Sequence, residues 1–243
     1  MFSTRKILSY SIFLLILTGI LAFTQQTNER VSINILSHTV DLSKQKIEFF
    51  SEKDNGEKIK SFKALRELLA KNNKKLIFAM NGGIFMQDYT PLGLYIENGV
   101  VKHKLNKKKN GYGNFYLQPN GIFYLTNDNH AKIETTDRFV NKNIKYATQS
   151  GPMLLINGKI NTKFRKGSNN LNIRNGVGIL PDGRIVFAMS KERVNFYDFA
   201  NYFKSLGCRN ALYFDGFVSK TYLPAKGYTN LTGNFGVIIA EIL

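Results

Sequence analysis

The sequence predicts an α+β fold, with a mixed, largely antiparallel sheet, several glycine-turn hairpins and a few helices. Three observations point there. Apolar runs of strand length recur along the chain, and four of its Asn-Gly or Asp-Gly pairs stand out as turns flanked by such runs. Only two segments space their apolar residues three and four apart, as a helix lying on a core requires.

The four turns are Glu97-Asn98-Gly99, Pro119-Asn120-Gly121, Ile156-Asn157-Gly158 and Pro181-Asp182-Gly183. Asn-Gly and Asp-Gly supply the positive φ angles of two-residue hairpins, so each is expected to join neighbouring antiparallel strands. Of the two helices, the first is capped by Ser61, carries Phe62, Leu65, Leu68 and Leu69 on one face, and frays near Asn72. The second is capped by Asn195, with Phe196, Phe199, Ala200, Phe203 and Leu206 apolar, and Gly207 ends it. Each helix leads into a buried-type strand, Leu76 to Met80 and Ala211 to Phe214. Each strand then runs into a polar glycine turn, Asn81-Gly82-Gly83 and Asp215-Gly216, the kind of position that lines sites.

Composition bounds the rest. The chain has 243 residues, of which 43% are hydrophobic and 13% aromatic, enough to bury a core without staples. There is no Trp, so 19 Phe and 12 Tyr supply the bulk. A net charge of +17 suits anionic partners, although the lysines are scattered as on a solvated surface. Lys107-Lys108-Lys109 is the densest run and reads as a loop. It lacks the regularly spaced aromatics of a single-strand binder, so no nucleic-acid partner is expected. Cys208 is alone, which excludes an internal disulfide, and it is expected as a small buried hydrophobe. His38, His103 and His130 are isolated, so neither metal nor cofactor is expected.

Residues 1–24 are set apart. Arg5 and Lys6 precede an apolar run from Ile7 to Phe23, the pattern of a secretion signal or, uncleaved, of a membrane anchor. In either case the remainder, residues 25–243, is expected to be exported as one domain, periplasmic or secreted, or held to the inner membrane by its N-terminus.

Four polar clusters break the apolar strands: Asn81-Gly82-Gly83-Ile84-Phe85, Gln149-Ser150-Gly151-Pro152, Arg174-Asn175-Gly176-Val177-Gly178 and Asp215-Gly216-Phe217-Val218-Ser219. Any one of them has an ordinary explanation as a turn or a surface charge. Taken in order, from about Leu76 to Leu243, they resemble the phosphodiester glycosidase family. The ordered set carries the resemblance, and no single motif does. Many members have Asp-Gly-Gly-Gly-Ser at the last position, where this chain has Phe217 and Val218, so the resemblance implies an altered pocket wall.

The resemblance implies a hydrolase that releases a sugar from a phosphodiester or related linkage in envelope or external glycans. Such a bond breaks through an oxocarbenium-like state that a carboxylate can stabilise, attack or serve by activating water. Asp215 is the candidate for that role. Glu192 is the candidate second carboxylate, with Asp88 and Asp182 as further options, Asp182 being also a hairpin residue. Arg174 is the expected fork-like partner of the phosphate. Gly82, Gly83, Ser150 and Gly151 are expected to offer an anion-holding nest, Asn81 to hold sugar hydroxyls, and Ser219 to orient Asp215 or bind phosphate. The competing reading is a non-catalytic envelope module that binds anionic glycans through its charge.

Overall fold

The structure is a computed structural model that describes residues 33–216 and 218–243; the expected signal or anchor at residues 1–24 lies outside them, as does Phe217. Strands β1 (Ile35–Val40), β2 (Lys46–Phe50) and β3 (Leu76–Asn81) open the fold, with helix α1 (Phe62–Lys71) between the last two. Then come β4 (Tyr95–Glu97), β5 (Val100–His103), β6 (Gly121–Thr126), β7 (Ala131–Thr135), β8 (Ile144–Ser150), β9 (Met153–Ile156) and β10 (Lys159–Ile160). Strands β11 (Asn175–Ile179) and β12 (Ile185–Ser190) precede helix α2 (Phe196–Ser205), which is followed by β13 (Ala211–Tyr213), β14 (Thr221–Tyr222) and β15 (Ile238–Ile242).

These strands form three sheets: β1-β12-β11-β13-β9-β10, β14-β3-β15-β2 and β5-β4-β8-β6-β7. Every ladder between them is antiparallel. The strands explain the arrangement through the faces they bury. In β12, Ile185, Phe187 and Met189 point into a core shared by all three sheets, while Val186 and Ala188 point outward against α2. In β15, Ile239 joins the shared core and Ile238, Ala240 and Ile242 face α1. A strand covered on both faces has no solvated side to alternate with, which is why these segments are almost wholly apolar, Glu241 in β15 being paired and Ser190 closing β12. Phe49, Phe78, Phe123, Phe187 and Phe214 fill the shared core and supply the bulk that Trp would otherwise give. The His38–Glu241 pair, at 2.6 Å, ties β1 to β15 across two sheets.

Both helices form where their caps and periodicity place them. Ser61 Oγ accepts from Ala64 N at 3.1 Å, and Phe62, Leu65 and Leu69 are buried. Asn195 Oδ1 accepts from Asp198 N at 2.9 Å, and Phe196, Phe199, Ala200 and Phe203 are buried. Leu206, expected on that apolar face, is 37% exposed, because it lies one residue past the helix and caps it instead. Three of the four expected turns are hairpins, β4–β5, β9–β10 and β11–β12. Asn120-Gly121 is not. A cis Gln118–Pro119 bond precedes it, Asn120 is buried with its Nδ2 on Phe115 O, and Gly121 simply starts β6.

Candidate active site

Each sheet sends one strand end to the same short segment, Tyr213 to Asp215. The four-stranded sheet contributes Asn81, the last residue of β3. The five-stranded sheet contributes Ser150, the last residue of β8. The six-stranded sheet contributes the segment itself, beyond β13, and beside it Arg174 and Asn175 at the antiparallel start of β11.

The backbone of this segment is held at every step. Tyr213 N donates to Pro152 O at 3.1 Å, and Phe214 N donates to Asn175 O at 3.1 Å. Ser150 Oγ donates to Phe214 O at 2.6 Å. Asp215 N donates to Asn175 Oδ1 at 3.1 Å. Asp215 O accepts from Ser219 Oγ at 2.7 Å and from Asn81 Nδ2 at 3.4 Å. Asn175 Nδ2 donates to Asn81 O and Oδ1, both at 2.9 Å, and Asn81 Oδ1 also accepts from Lys220 N at 2.9 Å. Asn81, Ser150 and Asn175 are at most 1% exposed, whereas Asp215 is half-buried. Fully satisfied polar groups in a core fix one arrangement, because each lost bond would strand a buried partner.

Beneath the segment lies a buried cation. The Arg174 guanidinium is 1% exposed and sits 3.5 Å from the Phe196 ring centroid and 5.7 Å from that of Tyr213. Its Nε donates to Val194 O at 2.8 Å and its terminal Nη2 to Asn170 O at 2.8 Å. The Tyr213 hydroxyl lies 3.5 Å from Asn114 Nδ2. Burial lowers the Arg174 pKa, and the Tyr213 contact partly offsets it. Burial raises the Tyr213 phenol far above its ordinary value, opposed by the Arg174 charge and assisted by that of Asp215.

The remaining candidates take other places. Gly82 N donates to Val237 O at 2.9 Å, which spends the amide on the sheet. A Cβ on Gly82 would lie 2.5 Å from Ile239 Cγ1, so the residue is glycine because β15 packs against it. A Cβ on Gly83 would meet Thr148 Oγ1, and one on Gly151 would meet Asn120, so both glycines also serve close packing. Ser219 reaches Asp215 through its backbone oxygen, as a brace of the turn. Glu192 lies outside this network: it is exposed, and its Oε1 accepts from Asn34 N at 3.1 Å. Asp88 and Asp182 are exposed turn residues whose carboxylates bind Thr90 and Arg184, contacts that lower both pKa values. Arg174, expected as an open fork for phosphate, has two of its donors committed inside the protein. Asn175, Tyr213 and Asn114 were not among the expected site residues. Asn175 stands within the third motif, and Tyr213, the last residue of β13, stands two residues before Asp215.

A hollow of about 400 Å³ opens elsewhere, lined by Tyr124, Ile133, Leu180, Pro181 and Arg209 among others, and it holds none of the candidate residues. Among the described residues no cluster of His, Cys, Asp and Glu could hold a metal ion. No described helix is long and apolar enough to cross a membrane.

The profile of the phosphodiester glycosidase family matches residues 74–235, a span that contains all four clusters. The chain is 40% identical over 195 residues to the uncharacterized protein YigE of Escherichia coli strain K12, covering 79% of this chain and 75% of that protein. Its fold is similar to the zebrafish N-acetylglucosamine-1-phosphodiester alpha-N-acetylglucosaminidase catalytic domain, auto-inhibited by its pro-peptide, with a TM-score of 0.55. That likeness has 15% identity and covers 89% of this chain and 84% of the other. A hypothetical protein from Synechocystis is similar at a TM-score of 0.51 and 12% identity, over 86% of this chain and 59% of that one. Identities this low speak for the fold alone. The profile spans well over half of the chain and takes in every strand end that meets at Tyr213 to Asp215: the chain belongs to the phosphodiester glycosidase family.

Proposed function

We propose that this protein is an exported glycosidase that hydrolyses the bond between a sugar and phosphate in a phosphodiester of envelope or extracellular glycans. Family membership supports the reaction class. The observation that carries the residue assignment is the pinning of Asp215: its amide and carbonyl are both fixed by side chains, and the residue itself stays half-buried at the end of a core strand. A carboxylate held this way needs little reorganisation when positive charge develops at the anomeric carbon. Phosphate is a good leaving group, so the chemistry can proceed with one carboxylate acting on the sugar. Asp215 is the catalytic residue in this reading. Asn81, Asn175, Ser150 and Ser219 position it, and Arg174 acts through Tyr213, its buried positive charge lying under the site.

The solved zebrafish relative is named for an N-acetylglucosamine 1-phosphodiester, which makes that compound class the first to test. Purified residues 25–243 would be incubated with a panel of sugar 1-phosphodiesters and free sugar measured. Wild type is expected to release sugar and Asp215→Asn to lose at least about a thousandfold in rate, as for removal of a central catalytic group. An Asp215→Asn variant as active as wild type overturns the assignment. The net charge of +17 favours a second reading, a module that binds anionic glycans without cleaving them. Salt-sensitive polymer binding with no hydrolysis, unaltered by Asp215→Asn, would select it.

A further inference from the structure

The densest lysine run of the sequence lies in a loop that is anchored at both ends, at one of them on the candidate active site. Between β5 and Asn114 the chain reads Lys104-Leu-Asn-Lys-Lys-Lys-Asn-Gly-Tyr-Gly113. At its start, Asn106 N donates to Gln149 Oε1 at 3.0 Å, and Gln149 Nε2 returns a bond to Asn106 O at 2.7 Å. Gln149 is 2% exposed and directly precedes Ser150 in β8, its side chain on the strand face opposite the serine that holds Phe214 O. At the loop's end, Asn114 Nδ2 reaches the Tyr213 hydroxyl at 3.5 Å, two residues before Asp215. Lys108 is six residues from Asn114, within about 20 Å of fully extended chain. The lysines therefore sit on a loop whose far end contacts Tyr213 and whose reach includes the site.

Their charges are available. Lys109 pairs with Asp137 at 3.1 Å. Among the described residues no carboxylate lies within ion-pair distance of Lys104, Lys107 or Lys108. Lys107 and Lys108 are exposed, and Lys108 N is turned by Asn106 Oδ1 at 3.0 Å, which fixes the loop's path without using either ammonium group. In the same loop Tyr112 is fully exposed and offers an apolar face.

A single sugar phosphodiester carries one negative charge, and a row of free cations outside the cleavage point exceeds what one charge needs. We infer that this loop binds the phosphates of a polymer flanking the one being cleaved, so that the substrate is a chain of sugars joined by repeated phosphodiesters. The inference rests on the proposed glycosidase reading. A local row of cations raises the concentration and capture rate of a polyanion, and salt weakens the effect.

The test compares two substrates, the methyl phosphodiester of N-acetylglucosamine 1-phosphate and a short oligomer of N-acetylglucosamine 1-phosphate, with wild type and Lys107→Gln/Lys108→Gln. The oligomer-to-monomer ratio of kcat/KM is expected to fall about tenfold in the variant, and in wild type to fall as salt is raised. A ratio unchanged in the variant overturns the inference. In parallel, anisotropy of a labelled oligomer is read with both proteins, each carrying Asp215→Asn. Binding weakened about tenfold by the lysine changes supports the loop's role even where no substrate is cleaved, an outcome that would sink only the glycosidase reading. Equal binding by both proteins overturns the loop's role. Capture of vesicles of anionic phospholipid that depends on these lysines, with oligomer binding unaffected, assigns the loop to a lipid surface and overturns the polymer.

Discussion

The side chains of Asn81 and Asn175 meet at 2.9 Å across 94 residues of sequence. The contact fixes which way the Asn175 amide points. Its Nδ2 faces two acceptors on Asn81, and its Oδ1 accepts from Asp215 N at 3.1 Å, with the Ser219 hydroxyl, which donates to Asp215 O, beside it. One amide group thus joins β3, β11 and the Asp215 turn, and no other orientation satisfies all of its partners.

Asn175→Asp is nearly isosteric and tests that relationship. The change puts a carboxylate oxygen against two acceptor oxygens in a fully buried position. A loss of about 3 kcal/mol in urea denaturation is expected, with a fall in any sugar-phosphodiesterase rate. A variant as stable and as active as wild type would remove Asn175 from the positioning network.

Arg174→Met separates a structural cation from a substrate clamp. The methionine fills the space over Phe196 but leaves Val194 O and Asn170 O without their donor. About 2–4 kcal/mol of stability should be lost. Arg174→Lys should recover little, since an ammonium group cannot reach both carbonyls and also stack flat on Phe196. Urea midpoints for the three proteins decide the matter.

Glu192→Gln should retain activity within about twofold, because Glu192 is exposed and engaged by Asn34 N outside the network around Asp215. Side-by-side rates for Glu192→Gln and Asp215→Asn check this. A loss of comparable size in both would restore the two-carboxylate scheme.

Gly82→Ala should cost about 1–3 kcal/mol, since the new methyl would lie 2.5 Å from Ile239 Cγ1 and 2.7 Å from its Cδ1. In a double-mutant cycle with Ile239→Ala the two changes should couple favourably, because the second removes both clashing atoms. Strictly additive thermal-unfolding results would contradict the close packing of the first motif on β15.

Cys208 should resist thiol reagents while the protein is folded. Burial raises its thiol from about 9 to about 11, and its side chain packs under α2. A group whose folded pKa is raised stabilises the fold fully below its unfolded pKa. That contribution is lost as pH climbs from about 9 through about 11. Labelling by iodoacetamide at pH 8 should be slow in buffer and fast in urea, and rapid labelling in buffer would show that the thiol is open.

Much of the fold was legible in the sequence for local reasons. The caps at Ser61 and Asn195 and the apolar spacing behind them are short-range signals, and both helices lie where those signals put them. The Asn-Gly turn at 98–99 is another: both residues take positive φ, and β4 and β5 pair around it. The same dipeptide at 120–121 is not a hairpin because Asn120 is buried and its side chain is bound to Phe115 O, a long-range choice that the local preference does not show. For the site, the sequence offered the four clusters but gave Arg174 an outward role. Nothing in its local pattern shows that Val194 O and Asn170 O occupy two of its donors.

The sequence by itself determined the element types, the turns that are hairpins by chemistry, and the polar residues that interrupt apolar strands. Propensity, capping and periodicity act over a few residues and are written in the chain. The tertiary structure alone decided that Asn81, Ser150 and Asn175, each at a terminus of a strand in a different sheet, close around the backbone of Phe214 and Asp215. Those bonds span 64 to 134 residues for Ser150 and Asn81, and such pairings are set by how three sheets pack their apolar faces on one core.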